Sequence, residues 1–519
     1  MACTTILIGK DASWDGSTVV ARNEDSPGGT FCPKRFAVVL PEDQPRRYRS
    51  VISHVEINLP DDPMRYTSVP NALADEGIWG EAGVNEANVA MSETETLTAN
   101  PRVLGADPLV ARMPAKGTPG EPGYEPEVPG GIGEEDMLTI VLPYIRSARE
   151  GVLRLGALLE RYGTYEMNGI AFSDVDEIWW METVGGHRWI ARRVPDDAYV
   201  TMPNQLGIDS FDLDDAFGAQ REHLCSADLR EWMAAHSLDQ RMDPSTDEAG
   251  LPSGTINPRE AFGTHSERDH VYNTPRAWYM QRHLNPSLGW DGPGACHGPE
   301  DDDIPWCRVP ERKVTMEDVK FVLSSHYEGT PFDPYDDMGA DWQRGRYRPI
   351  GINRQSQLAV LQLRPYAPGC CRAVQWIAFG SNPFNTLMPF YANVEDTPDY
   401  LKNTTARVTT ESFYWANRIV AAIADARYKD NVNDLDAYAE RTMARGHALV
   451  AEADARIAAC GAEEDEAGGM GDDARVRRIL EEANDETAAY LKRETDKLLD
   501  KVLLTSSLLM RNGFSLSDH

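Results

Sequence analysis

The chain lacks most of what would mark a secreted, membrane-bound or nucleic-acid-binding protein. None of its apolar runs, such as Met137 to Leu142, approaches the roughly 20 residues a membrane span needs. It opens Met1-Ala2-Cys3-Thr4-Thr5-Ile6-Leu7-Ile8, with no basic leader and too short an apolar segment for a signal peptide, which argues against export. Positive charge is scarce: 51 Lys and Arg face 83 Asp and Glu, a net charge of −32 that repels phosphate backbones and anionic lipid. Neither nucleic acid nor membrane is an expected partner. Cysteine is sparse too, at positions 3, 32, 225, 296, 307, 370, 371 and 460, which is too few for a disulfide framework. Most are read as buried thiols of a reducing, cytoplasmic compartment. Cys296-His297 and Cys307 fit neither a CxxC pair nor an HExxH helix, so no zinc is expected. The Gly-x-Ser-x-Gly elbow, the P-loop and the dinucleotide fingerprint are missing, which leaves serine hydrolases and nucleotide enzymes little support. No repeat of 20 to 50 residues is evident.

What remains is an ordinary folded composition, 41% hydrophobic and 26% charged over 519 residues, enough for about three domains or for one large core with insertions. Residues 4 to 8 and 18 to 22 are β-branched and apolar, with Asp15-Gly16 between them as a turn, and predict a hairpin. Pairing Gly9 with Thr18 makes partner numbers sum to 27. Cys3 then lies opposite Glu24, within a residue or two of Arg22 and Asp25. Leu104 to Glu135 is dense in Gly and Pro and reads as a long surface loop. Helical spacing from Asp136 to Tyr162 predicts two helices broken at Gly151. Gly169 to Phe172, Glu177 to Glu182 and Trp189 to Arg193 read as consecutive antiparallel strands, and a second set falls at 357–363 and 373–379 before a helix carrying Phe413, Trp415, Ile419 and Ile423. Blocks of strands and helices predict layered sheets covered by helices. Asn431 to Ala459 and Ala474 to Met510 predict a helical hairpin joined by the acidic stretch Gly461 to Asp473, either a helical layer on the same core or a partner-binding arm.

The chemistry centres on Cys3. If Met1 and Ala2 are removed, thiol and α-amine belong to one residue. An α-amine titrates at about 7.7 to 8.0, so its neutral fraction near pH 7 can take the thiol proton without a histidine. Arg22 would favour the thiolate by charge, and Asp25 would hold the α-amine or a substrate ammonium. By position alone Cys3 is simply an apolar residue of a first strand.

Three stretches change that reading: Cys3-Thr4-Thr5-Ile6-Leu7-Ile8-Gly9-Lys10, Asp15-Gly16-Ser17-Thr18 and Ala21-Arg22-Asn23-Glu24-Asp25. Together with Glu134-Glu135-Asp136-Met137, Tyr165 to Gly169, Glu177 to His187, Pro195 to Tyr199, Pro203-Asn204-Gln205 and His326 to Asp333, they resemble the dipeptidase A family, relatives of the secernins among the N-terminal-nucleophile hydrolases. The resemblance covers roughly residues 3 to 430. It implies an α+β fold with a four-layer αββα core and a nucleophile, Cys3, at the end of a central strand, acting without a cofactor on dipeptides of broad sequence. Arg22 and Asp25 match the Arg-Asn-x-Asp run of the wider superfamily, which includes penicillin V acylase and bile salt hydrolase. Asn204 matches its oxyanion asparagine, and Arg276 in Tyr272-Asn273-Thr274-Pro275-Arg276 a later site arginine. Two departures stand out. Val89 to Thr94 offers no second oxyanion asparagine, so a backbone N–H is the expected donor. Ala2 would survive ordinary Met removal, so either the chain cleaves its own short leader or the family mechanism fails in it.

The expected domains are a catalytic unit, 3–430, with the loop 104–135, and a helical extension, 431–519. The expected enzyme is a cytoplasmic cysteine dipeptidase. Its rivals are an amidase or acyltransferase working through the same thioester, and a secernin-like binding protein using helices 431–510. Family analogy favours a homo-oligomer. His265 and His270, with Glu267 and Asp269, read as a polar loop, and Glu300-Asp301-Asp302-Asp303 as a solvated acidic loop.

Overall fold

The structure, a computed structural model, describes residues 3–73, 75, 77–95, 97–467 and 473–513. Met1 and Ala2, whose removal the sequence reading expects, lie outside the described residues. Its first elements are strands β1 (Cys3–Ile8) and β2 (Thr18–Asp25), a hairpin in which Cys3 faces Glu24, Thr5 faces Arg22 and Ile8 faces Val19. Each of these pairs sums to 27. The turn needs Gly16, whose φ of 84° few other residues adopt.

β1 and β2 sit inside a seven-stranded antiparallel sheet ordered Cys307–Arg308, Tyr199–Met202, β1, β2, Gln355–Leu363, Ala373–Phe379, Met388–Tyr391. A second antiparallel sheet has eight strands, in the order His223–Cys225, Arg188–Arg193, Ile178–Val184, Asn168–Ser173, Ala90–Glu95, Ala82–Asn85, Tyr66–Ser68, Ala37–Val39. It contains the three consecutive strands expected between 169 and 193. The period-2 alternation of side chains then partitions the apolar residues into three cores. Leu7 and Val20 meet Ala90, Ala171 and Trp180 of the other sheet. Ile6, Ile8, Val19 and Ala21 point the other way, against Trp278 and Met280 of helix Thr274–Leu284 and Val319, Val322 and Leu323 of helix Met316–Ser324. Met91, Ile170, Phe172 and Trp179 pack beneath Leu138, Val141, Val152 and Leu155.

Three local expectations change. The helices near 136–162 are Glu134–Val141 and Ala148–Tyr162, and they part not at Gly151 but at Pro143, where a 3-10 turn leads into extended Ile145 and a Ser147 cap. Gly151 lies inside the second helix, at a point where a Cβ would stand 2.3 Å from the Phe172 ring. It permits close helix-to-sheet packing and breaks nothing. The Gly- and Pro-rich loop is shorter than 104–135, since Leu104 to Ala106 end helix Pro101–Ala106 and Glu134 opens the next helix. The first C-terminal helix is longer than the sequence indicated, Tyr428–Ala467, while the second, Asp473–Leu508, falls within two residues of its expected bounds. The joining stretch is therefore helical as far as Ala467, while 468–472 lies outside the described residues.

The last helix covers the edge strand Met388–Tyr391. Asn484 takes the Tyr391 N–H (2.8 Å) and donates to the Tyr391 carbonyl (3.0 Å), occupying the ladder positions a further strand would use. Leu480 and Ala483 join one core and Leu491 and Leu498 another, so these helices share the main body's interior. Among the described residues no helix is long and apolar enough to cross a membrane.

Candidate active site

Cys3 is fully buried at the first position of β1. The hairpin register puts its side chain on the same face as Arg22 and Glu24, while Thr4, Asn23 and Asp25 point to the other face. On the first face, Arg22 Nη2 donates to Cys3 Sγ at 2.9 Å. The same guanidinium is ion-paired with Glu81 and with Glu134, the first residue of helix Glu134–Val141. Lys34 completes the cluster, with Nζ 2.8 Å from Glu24 Oε2 and 3.6 Å from Glu81 Oε1. All five charged side chains are buried.

The main chain of Cys3 is held from the other side. Its N–H donates to Asn204 Oδ1 at 3.1 Å. Arg276, buried in helix Thr274–Leu284, donates to the Cys3 carbonyl, to Thr4 Oγ1 (2.7 Å), to Asn204 Oδ1 (2.9 Å) and to Asn273 Oδ1 (2.8 Å). Asn273 Nδ2 in turn donates to the Asn204 carbonyl at 3.1 Å. With two donors on Oδ1, the Asn204 carboxamide is oriented so that Nδ2 is its donor end. Of the five residues named from the sequence, the structure brings Cys3, Arg22, Asn204 and Arg276 into direct contact. Asp25 is ion-paired with Arg348, a residue the sequence reading did not name.

Burial decides the charges. It raises the Cys3 thiol pKa, and the nearby Arg22 only partly offsets it, so the thiol is protonated near neutrality. The thiolate that Arg22 alone would favour does not form without a base. Burial also works against the Arg22 charge, but Cys3, Glu81 and Glu134 outweigh it and keep the guanidinium charged. Burial and the proximity of Glu81 raise Glu134, whereas Glu81, although buried, is held below the usual carboxylate range by Arg22 and Lys34. Burial and Glu81 push Glu24 up to about 7, and burial brings Arg276 down to about 10.

Glu81, Lys34, Glu134, Asn273 and Arg348 were missed from sequence. Two of them left a trace, Glu134 in the run Glu134-Glu135-Asp136 and Asn273 in the stretch Tyr272 to Arg276. Beside Asn204 lies a cavity of about 420 Å3, lined also by Asn273, Tyr272, Ala99, Arg268 and Arg354. His270 falls on helix Glu267–Tyr272 and not in a loop. Both His270 and His265 reach Asp302, at 3.0 and 3.1 Å. The acidic stretch brings Asp301 and Asp303 toward His297 at the surface.

A profile of peptidase family C69 matches residues 2–441. The chain belongs to peptidase family C69. Among its relatives, a "Dipeptidase" of Bifidobacterium longum (strain NCC 2705) is 62% identical, with 100% of both chains covered. A "Probable dipeptidase A" of Streptococcus pyogenes serotype M3 is 53% identical, again over 100% of each chain. A solved structure, the C2A mutant of a conjugated bile acid hydrolase from Clostridium perfringens, aligns with 75% of this chain and 92% of its own at 10% identity and a TM-score of 0.28, too low to bear on the fold. The C69 span includes every residue of the Cys3 cluster and ends within helix Tyr428–Ala467.

Proposed function

We propose that this C69 peptidase is a cytoplasmic dipeptidase whose nucleophile is Cys3, used with its own α-amine after Met1 and Ala2 are removed. The observation that carries the reading is that both reactive atoms of Cys3 already have dedicated partners: Arg22 on Sγ, and Asn204, braced by Arg276, on the nitrogen. The full-length identity to proteins named dipeptidase supports the substrate class. Two sheets sharing one core, each with helices on its other side, support a four-layer αββα arrangement for the body.

In this mechanism the α-amine accepts the thiol proton and the thiolate attacks the peptide carbonyl. Arg22 stabilises the developing sulfur charge, and Asn204 Nδ2 with a backbone N–H binds the oxyanion. Collapse gives a thioester on Cys3 and releases the second amino acid, protonated by the ammonium. Water, deprotonated by the amine, then frees the first amino acid. Asp25, paired with Arg348, lies beside the same strand end.

The direct test is a substrate panel. Purified protein should cleave unmodified dipeptides with far higher kcat/KM than N-acylated amines of similar size. A preference for the acylated amines would turn the reading toward an acylase. Within the mechanism, Asn204→Ala should lower kcat about 10²–10³-fold, the usual loss for one oxyanion donor, while the unfolding midpoint stays near wild type. Unchanged turnover by a folded Asn204→Ala protein would remove Asn204 from the chemistry.

A further inference from the structure

The cavity beside Asn204, at about 420 Å3, is near the lower end of the roughly 300–1,000 Å3 of small-molecule sites. Among the described residues its wall carries one carboxylate, Asp269, and that group is fully engaged by the fold. Its Oδ2 accepts from Thr264 Oγ1 (2.9 Å), Ser266 N (2.9 Å) and Ser266 Oγ (2.7 Å), and its Oδ1 from Asn273 Nδ2 (2.7 Å). The wall also carries two arginines. Arg354 is half-buried and donates only to neutral groups, the Ser26 carbonyl at 2.6 Å and the Tyr272 hydroxyl at 2.5 Å. Arg268 is exposed and stacks on the Tyr272 ring at 5.6 Å. Among the described residues neither makes an ion pair, in a chain whose net charge is −32.

Positive charge accumulates around this one tyrosine. Arg276 and Arg348 lie over the Tyr272 ring at 5.3 and 5.1 Å. Burial lowers both of them, and the Arg354 charge lowers them further, Arg348 to about 9. Asp25, on Arg348, is the only carboxylate paired with any of the four among the described residues. An anion entering the cavity would relieve that repulsion, and a guanidinium presents it with a planar pair of donors.

A dipeptide brings one obligatory anion, its terminal carboxylate, three bonds from the carbonyl carbon that the thiolate attacks. Each added residue would carry that carboxylate roughly 3.3–3.6 Å further away. We propose that Arg354, assisted by the exposed Arg268, binds the free C-terminal carboxylate of the substrate and thereby confines hydrolysis to dipeptides. This assignment rests on the dipeptidase reading above and names the specificity element of the same site.

The experiment compares a dipeptide with its C-terminal amide on wild type, Arg354→Gln and Arg354→Lys. Wild type should prefer the free acid about 10–100-fold in kcat/KM, the range expected for hydrogen bonds to a charged group. Arg354→Gln should lose a similar factor on the acid, mainly in KM, and stay within about threefold of wild type on the amide. Arg354→Lys should fall between. Preserved amide turnover doubles as the folding control. Equal wild-type activity on acid and amide would overturn the carboxylate assignment and leave the dipeptidase reading standing, and so would an Arg354→Gln protein weakened equally on both. Failure of wild type to cleave either substrate would overturn both readings together.

Discussion

Cys3→Ala is expected to lower dipeptide turnover by about 10⁴-fold or more without unfolding the protein, since it removes the only atom able to carry the acyl group. Cys3 contributes little bulk to the fold, so its loss should spare the sheet while leaving Arg22 without its sulfur acceptor. The companion measurement is intact mass: active wild-type protein should begin at Cys3. Active protein still carrying Ala2 would be incompatible with an α-amine base. The pH profile supplies an independent check. Burial keeps the thiol protonated near neutrality, so the reaction needs the neutral amine, whose ordinary pKa is about 7.7 to 8.0. The kcat/KM should therefore rise with pH through that region and level off above it. A profile flat from pH 6 to 9 would exclude the amine as the base.

How far the sequence reveals this arrangement depends on the range of the interaction. Asp15-Gly16 closes a turn, the turn sets a register, and the register alone brings Arg22 and Glu24 to Cys3, so that part of the site is legible by counting. Asp25 sits on the opposite face by the same alternation, and its partner Arg348 is far along the chain, beyond the reach of strand arithmetic. Glu81 and Glu134 meet Arg22 from 59 and 112 residues away. No local pattern distinguishes such buried carboxylates from solvated ones. Gly151 illustrates the complementary error. Glycine in a helical pattern suggests a break, but here it answers to Phe172 across the helix-to-sheet contact. The Pro and Gly loop was overextended at both ends for a related reason, since Asn100 and Asp136 cap helices that begin or end inside it.

Arg22→Met is expected to lower stability by about 3–5 kcal/mol, the range for removing one partner of a buried ion pair, and to lower turnover as well. Arg22 is 2% exposed, and Glu81 and Glu134, which it bridges, are fully buried; without it Glu81 would depend on Lys34 alone for countercharge. The deficit should depend on pH with a definite sign. In wild type, Arg22 and Lys34 hold Glu81 below the usual range. Without Arg22 its folded pKa rises, so the variant takes up a proton on folding between the ordinary glutamate pKa and the raised one. That uptake makes folding of the variant more favourable as pH falls. Chemical denaturation should therefore show a larger gap between wild type and Arg22→Met at pH 8 than at pH 5. Adding Glu81→Gln should recover part of the stability, because no charge is then left unpaired at that contact, but none of the turnover, because Cys3 Sγ still lacks its donor. A variant within about 1 kcal/mol of wild type at pH 8, or a gap that does not change with pH, would show that Arg22 does not balance the buried carboxylates.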